Sequence, residues 1–216
     1  MRVDTPDIYE DLKRRLMNAT LRPGHKLKPS DLQGDYGCSA NTVREVLHRL
    51  VTIGLVEFEA QRGFRVRAVD QSIFNDVTRF RILLEQEGAE LSMEKGGVAW
   101  EMHLNAAHHA LVHIQTRILK AGDMEPFRAL WSEAERHFHE TLISACGSGL
   151  IRRTHANIYL QFRQQMMTLT EEFGGAYFGM IADEHQQILD AALARDAAGC
   201  ARAIEQHLRR NIRAAA

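Results

Sequence analysis

The chain has 216 residues, room for two domains of ordinary size, and its 45% apolar content is that of a globular protein. No apolar run approaches the roughly 18 residues that cross a bilayer, and the N-terminal MRVDTPDIYEDLKRRL has acidic residues and no long apolar core. These features argue against a membrane span and a secretory signal, so a cytoplasmic protein is expected. The formal charge of −1 conceals an asymmetry: residues 1–70 sum to +2 and residues 71–216 to −3, and the second part holds nine of the eleven histidines. Cys38, Cys146 and Cys200 have no paired spacing and read as small apolar residues in a reducing compartment.

The first helix is predicted to start with Thr5 as its cap and Pro6 at its first position, where a missing N–H costs nothing. Ile8, Leu12, Leu16 and Ala19 form its apolar stripe. Pro23-Gly24 turns the chain. Ser30 is placed to cap a short second helix that buries Leu32 and Tyr36 and ends at Gly37. A third helix follows at once, capped by Ser39, or by Asn41 if the cap slips. Val43, Val46, Leu47 and Leu50 recur on one face at helical spacing, and Asn41, Thr42, Arg44 and His48 occupy the other. Gly54 stops this helix. Residues 55–59 and 64–69 then alternate around a turn at 60–63, which is a hairpin tipped by Arg62 and Gly63. Helices, a cationic recognition face and a hairpin make residues 1–69 a winged helix-turn-helix, with the third helix suited to a DNA major groove.

Residues 68–72 read as a linker, and no strand pattern lies beyond it. Ser72 is expected to cap a helix with Ile73, Val77, Phe80, Leu84 and Leu91 on its inner face. The next runs from about 98 to 120, with Trp100, Leu104, Ala107, Leu111, Ile114 and Ile118 inward, and Gly122 ends it. Asp123 can cap a third, to about residue 145. Helices over about 150–172, 177–195 and 196–213 complete an antiparallel bundle of six in residues 70–216. The fold class is therefore mostly α: a winged helix-turn-helix followed by an all-α bundle.

Four polar residues interrupt the apolar stripes of the bundle. Glu135 and His139, four apart, share a face with Phe127, Leu130, Trp131, Ala134, Phe138 and Leu142, while His137 points away. His185 lies between Ile181 and Leu189, and His207 among Ala203, Ile204 and Leu208. The last two helices turn near Asp196, midway between these histidines, so the two are level and can face one point. A carboxylate on a core face is costly unless paired with a cation or metal. Three imidazoles and one carboxylate suit Zn, Mn, Ni or Fe. The plainer alternatives are hydrogen-bonded core histidines and an ordinary Glu–His pair at i,i+4. His103, His108, His109 and His113 form a competing cluster, but the core stripe beside them favours solvent for most.

With these residues in view, the chain resembles the GntR superfamily of bacterial transcription regulators, in the FadR-like branch with an FCD effector domain. The N-terminal motifs are Leu21-Arg-Pro-Gly24, Leu27, Ser39, Val43-Arg44-Glu45, Leu47, Leu50, Gly54-Leu55-Val56 and Arg62-Gly63; the C-terminal ones are Arg81 to Glu85, Phe138-His139, Glu184-His185 and His207-Leu208. The resemblance implies operator contacts by Arg44, by the polar residues before it and by Gly63. It also implies a divalent metal on Glu135, His139, His185 and His207. It departs from the family twice: Ala40 stands where Arg often follows the capping Ser, and Glu135 where Asp is usual. The expectation is a homodimeric regulator of double-stranded operator DNA, controlled by a small carboxylate or sugar-acid effector at the metal. Arg81, and less directly Arg163, are candidate counter-charges to the effector, against ordinary salt bridges as the alternative. The rival class is a metal-dependent hydrolase or lyase using the same His/Glu site, which would leave the winged unit unexplained.

Overall fold

Val43, Val46, Leu47 and Leu50 are completely buried, and the helix they define, α3 (Ala40–Thr52), is the one the periodicity draws. In the computed structural model, which describes residues 5–169 and 175–213, α3 opens on Ser39, whose hydroxyl accepts from the Thr42 amide at 3.1 Å. Ahead of it lie α1 (Thr5–Met17) and α2 (Pro29–Tyr36). Ile8, Leu12 and Leu16 bury the inner stripe of α1, but Ala19 lies past the helix end with φ 54° and is not part of it. The second helix starts a residue before Ser30: Pro29 takes the first turn, and the cap position, Lys28, makes no side-chain bond. Gly37 closes it in the left-handed conformation, φ 61°.

The hairpin is β2 (Val56–Glu59) paired with β3 (Gly63–Val66), in register from Val56 opposite Val66 to Glu59 opposite Gly63. A third strand, β1 (Lys26–Leu27), pairs with the other edge of β3 to give the order β1-β3-β2. Two residues are too few to show alternation. The Pro23-Gly24 turn makes this strand, through Gly24 N–H donating to Val66 O at 3.0 Å. Ring contacts of His48 with Phe58 and Phe64, at 5.3 and 4.9 Å, fasten the hairpin to α3.

The remaining helices are α4 (Gln71–Lys95), α5 (Val98–Ala121), α6 (Arg128–Leu142, led by a 3-10 turn at Glu125–Phe127), α7 (Gly149–Leu169), α8 (Gly175–Leu193) and α9 (Ala197–Arg209). Asp70, not Ser72, caps α4: its carboxylate accepts from the amides of Ser72 and Ile73 at 2.7 and 3.1 Å. Asp196 caps α9 through Gly199 N–H. The end expected for the helix near residue 172 lies outside the described residues. No helix among the described residues is long and apolar enough to cross a membrane.

The chain divides into two compact units, Met1–Phe74 with Leu160–Leu169, and Asn75–Tyr159 with Thr170–Ala216. The last part of α7 thus belongs with the winged helices, which a contiguous division near residue 70 does not contain. Three glutamines explain the grouping. Gln161, Gln164 and Gln165 donate to the backbone carbonyls of Ile53, Leu55 and Ala68 at 3.0–3.1 Å, and Gln165 also accepts from Asp70 N–H. Gly54 admits this contact: φ is +78°, and a Cβ there would lie 2.6 Å from Gln161 Nε2.

The inner face of α4 differs from the predicted stripe. Arg81, Glu85, Thr78 and Ser92 are completely buried, whereas Phe80 and Leu83 are 44% and 62% exposed. Val77 is inward as expected; Ile73, Leu84 and Leu91 are half-buried. The helix turns Arg81 and Glu85 to the interior because partners for them wait there: Glu135 for the first, His139 and His155 for the second.

Candidate functional site

In the helical unit, α6, α8 and α9 bring Glu135, His139, His185 and His207 together. One donor atom from each lies within 4.8 Å of all the others, and all four side chains are buried. The imidazole rings form a tight triangle: centroids are 4.4 Å apart for His185–His207 and 5.4 Å for His139 with each of the others.

A surrounding set of charged groups orients these side chains. Glu85 accepts from His139 Nδ1 at 2.8 Å, from His155 Nε2 at 2.9 Å and from Arg81 Nε at 2.6 Å. Glu184 accepts from His207 Nδ1 at 2.9 Å and is ion-paired with Arg210. An ionised carboxylate only accepts, so the Nδ1 of His139 and of His207 each carries a proton and Nε2 is the nitrogen turned toward the other donors. Tyr159 O–H donates to Glu135 Oε2, and Arg81 Nη2 lies 3.4 Å from Glu135 Oε1. The guanidinium of Arg81 also stands 4.8 Å from the Tyr159 ring centre.

Burial and neighbouring charge set the protonation states. Burial, reinforced by the adjacent imidazoles, lowers the pKa of His185 well below the usual range and that of His207 to about 3. Both are neutral imidazoles at pH 7, the form that ligates a metal. Burial opposes ionisation of Glu85, but Arg81 and His139 outweigh it and hold the carboxyl well below its ordinary value. Burial likewise lowers His139, yet Glu85 overrides it and the net shift is upward.

The donor set fits a divalent ion. Both ring nitrogens of His185 are buried without a hydrogen-bond partner among the described residues, and His139 Nε2 lies 3.4 Å from Glu135 Oε1. Such atoms are rarely left so in a folded protein, and a cation shared with Glu135 would satisfy them.

Of the other predicted residues, Arg81 is fully enclosed and engaged by Glu85 and Glu135, at the edge of the cluster. Arg163 is also buried, but in the stretch Leu160–Leu169 that groups with the winged helices. His103, His109 and His113 are exposed on α5, as is His137 on α6, while His108 is buried, the exception to an expectation of solvent for most of the α5 group. Four residues of the cluster had no assigned role: Glu85, His155, Tyr159 and Glu184. Their signals are present in the sequence. Arg81 and Glu85 are an opposite-charge pair at i,i+4, His155 and Tyr159 repeat that spacing on α7, and Glu184 adjoins His185.

In the winged unit, Asn41 and Arg44 stand exposed on the first turns of α3, joined by a 3.1 Å bond from Arg44 Nη1 to Asn41 Oδ1. Thr42 is half-buried against Ser39. At the hairpin tip, Arg62 is exposed and paired with Glu59 at 3.0 Å. Gly63 has φ +79°, and nothing lies within 4 Å of where its Cβ would be, so the tip backbone is open to close approach.

Comparison with known proteins finds a family match in each half of the chain. Residues 5–66 match the family described as bacterial regulatory proteins, gntR family, and residues 76–210 match the FCD domain. The chain belongs to the GntR family of bacterial transcription regulators, with a C-terminal FCD domain. It is 33% identical over 205 residues to the HTH-type transcriptional regulator BphR of Paraburkholderia xenovorans LB400, covering 94% of this chain and 82% of that one. To the HTH-type transcriptional repressor GlaR of Escherichia coli K12 it is 26% identical over 218 residues, covering 96% and 94%. The solved structure of E. coli McbR/YncC superposes with a TM-score of 0.78 at 23% identity, covering 97% and 96%, and so shares the fold. The family and these relatives are transcription regulators, not enzymes, so the hydrolase or lyase alternative falls away.

Proposed function

We propose that this regulator is controlled by a small organic acid bound at a divalent metal held by Glu135, His139, His185 and His207. The observation that carries the reading is the convergence of four donors from three helices, one of them His185 with both ring nitrogens lacking a hydrogen-bond partner among the described residues. Nitrogen and carboxylate donors suit Zn, Mn, Ni or Fe. When bound, the ion supplies positive charge and open coordination positions. The chain's own residues supply the rest: Glu85 and Glu184 fix the tautomers of His139 and His207, and Tyr159 and Arg81 hold Glu135.

Charge decides the effector class. Arg81, Glu85 and Glu135 sum to minus one, which repels an anion; a divalent ion turns the sum to plus one. An acid would therefore bind the loaded site and not the bare one. Arg81 contributes to that positive field from its place between two carboxylates.

The DNA-reading half follows from the exposed face of α3. Asn41, Thr42 and Arg44 would reach base edges or phosphates in the major groove, and Arg62 with Gly63 the backbone or minor groove. Two copies would read the halves of a palindromic operator, and the exposed Phe80 and Leu83 on α4 support self-association. The effector would act by shifting the population competent for operator binding. A protein with this task works in the cytoplasm.

Two measurements test the reading. In a gel shift with the DNA flanking its own gene, Arg44→Ala removes the complex at the concentration that half-saturates the natural protein. An undiminished shift refutes the assignment of α3. In a thermal-shift screen of small carboxylates, stabilising hits vanish after chelation; hits that survive refute the link between metal and effector.

A further inference from the structure

The last stretch of α7 joins the winged unit through two kinds of contact. Leu160 packs on the apolar core of that unit, and the ring of Phe162 lies 5.2 Å from that of Phe74. These side chains supply burial. Gln161 and Gln164 reach backbone instead. Gln161 Nε2 donates at 3.0 Å to the carbonyl of Ile53, the residue that closes α3, and its Oε1 accepts from Arg67 Nη1 at 3.2 Å. Arg67 follows β3, pairs with Glu57 of β2 at 3.5 Å, and donates its backbone N–H to Leu55 O at 3.1 Å. Gln164 Nε2 donates to that same carbonyl at 3.1 Å. The two amides, three positions apart on one face of a helix, therefore span the junction at which the recognition helix passes into the hairpin. Gly54, left-handed and without a side chain, admits Gln161 to this place. Apolar packing tolerates small slides, whereas hydrogen bonds are directional and fix a position. A methionine at either site would bury as much surface, and the chain has amides there, which both donate and accept.

We propose that Gln161 and Gln164 are positioning residues for operator reading: they set the angle between α3 and the hairpin, and so decide whether Asn41 and Arg44 on the one and Arg62 and Gly63 on the other meet the same duplex in register. This rests on the reading of α3 and the hairpin tip as the DNA-contacting surfaces. Base contacts need that register, because a groove edge presents its donors and acceptors at fixed places. Phosphate contacts do not, since charge acts along the whole duplex and carries no sequence information. Loss of the two amides should therefore cost sequence discrimination and spare sequence-independent binding. Operator choice then depends on two residues that touch no DNA and stand about a hundred positions beyond the carbonyls they hold.

The test begins with an operator selected by the full-length natural protein from a pool of random-sequence duplexes. Affinity for that operator, and for a scrambled duplex of the same length, is measured across a salt series for the natural protein, Gln161→Met, Gln164→Met, Gln165→Met and Arg44→Ala. Gln161→Met and Gln164→Met should each lose about tenfold in operator affinity, the size of one good base contact. Their affinity for the scrambled duplex, and its salt slope, should match the natural protein, which also shows that the winged unit is folded. Gln165→Met, whose amide holds Ala68 and Asp70 in the linker, should keep the natural discrimination between the two duplexes. Operator and scrambled affinities that fall together in Gln161→Met or Gln164→Met, as lost packing or folding would make them, overturn the inference. Operator affinity that either variant leaves unchanged, or an equal loss of discrimination in Gln165→Met, overturns it too. Arg44→Ala separates the two levels: if it binds the operator as well as the natural protein does, or if no operator emerges from the pool, the reading of α3 beneath the inference fails as well.

Discussion

Helices α3 and α4 obey the same geometry and bury opposite kinds of residue. On α3 every buried position is apolar, and the polar positions face out. On α4 an arginine and a glutamate are fully enclosed while a phenylalanine and a leucine lie in the open. The contrast follows from what each helix packs against. The first covers an apolar core of α1, α2 and the hairpin. The second presents Arg81 and Glu85 to imidazoles and a carboxylate that need counter-charges. Burial tracks the partner's chemistry, and hydrophobicity is a guide to it only where the partner is itself apolar.

The largest test of the contrast removes the charge that α4 buries. Glu85→Ala strands Arg81 and unpins His139 and His155, and breaking a buried ion pair from one side costs about 3–5 kcal/mol. Loss of an outer carboxylate should also weaken metal binding by about 10–100-fold. Phe80→Ala, one turn away, should change stability by no more than about 0.5 kcal/mol in the dissociated chain. Urea unfolding of both variants, with metal titration of the first, checks this. Equal costs would mean that the two faces of α4 are not distinguished by charge burial.

Acid should act on the helical unit next. The folded pKa values of His185 and His207 lie below their unfolded values near 6.5. As pH falls below about 6.5 the unfolded chain takes up those two protons and the folded chain does not, so stability declines. His139, shifted upward, has the opposite sign: its contribution is full below the unfolded pKa and is lost as pH rises through the folded one. Two groups outweigh one, and Glu85, shifted downward, adds a further loss below its ordinary value near 4.5. The metal-free protein should be most stable near neutrality, its urea midpoint falling between pH 6.5 and 5. A midpoint that rises over that interval contradicts the neutral burial of His185 and His207.

Much of this was legible in the chain. The recognition helix, its serine cap and the hairpin follow from local spacing, because each is decided by residues within a few positions. Glu135, His139, His185 and His207 stand out as polar interruptions of apolar stripes. The polar ring around them does not stand out: Arg81 and Glu85 look like an exposed i,i+4 pair until the residues they meet, 54 to 70 positions on, are known. Phe80, which is 44% exposed, then drew the predicted apolar face toward the wrong side of α4. His108 was hidden for a related reason, since it stands in a run with His103, His109 and His113, which are exposed. The glutamines at 161, 164 and 165 are of another kind. They bond to backbone carbonyls about a hundred residues away, and a carbonyl leaves no trace in the identity of the residue that bears it.

The smallest effect belongs to the winged unit, where one hydroxyl begins the recognition helix. Ser39 Oγ accepts from Thr42 N–H and also contacts Thr42 Oγ1 at 2.9 Å. Ser39→Ala removes the acceptor from an exposed helix end, which costs about 1 kcal/mol. Asn41 lies too far along to replace it, since it already sits within α3 and its side chain accepts from Arg44. Because the same turn carries Asn41, Thr42 and Arg44, fraying it should lower operator affinity several-fold while leaving metal binding in the helical unit unchanged. Urea unfolding, a gel shift and a metal titration on the one variant resolve these three effects. A Ser39→Ala protein as stable as the natural one would show that the start of α3 is held by packing of Val43 and Val46 alone, and that the cap adds nothing to the DNA-reading surface.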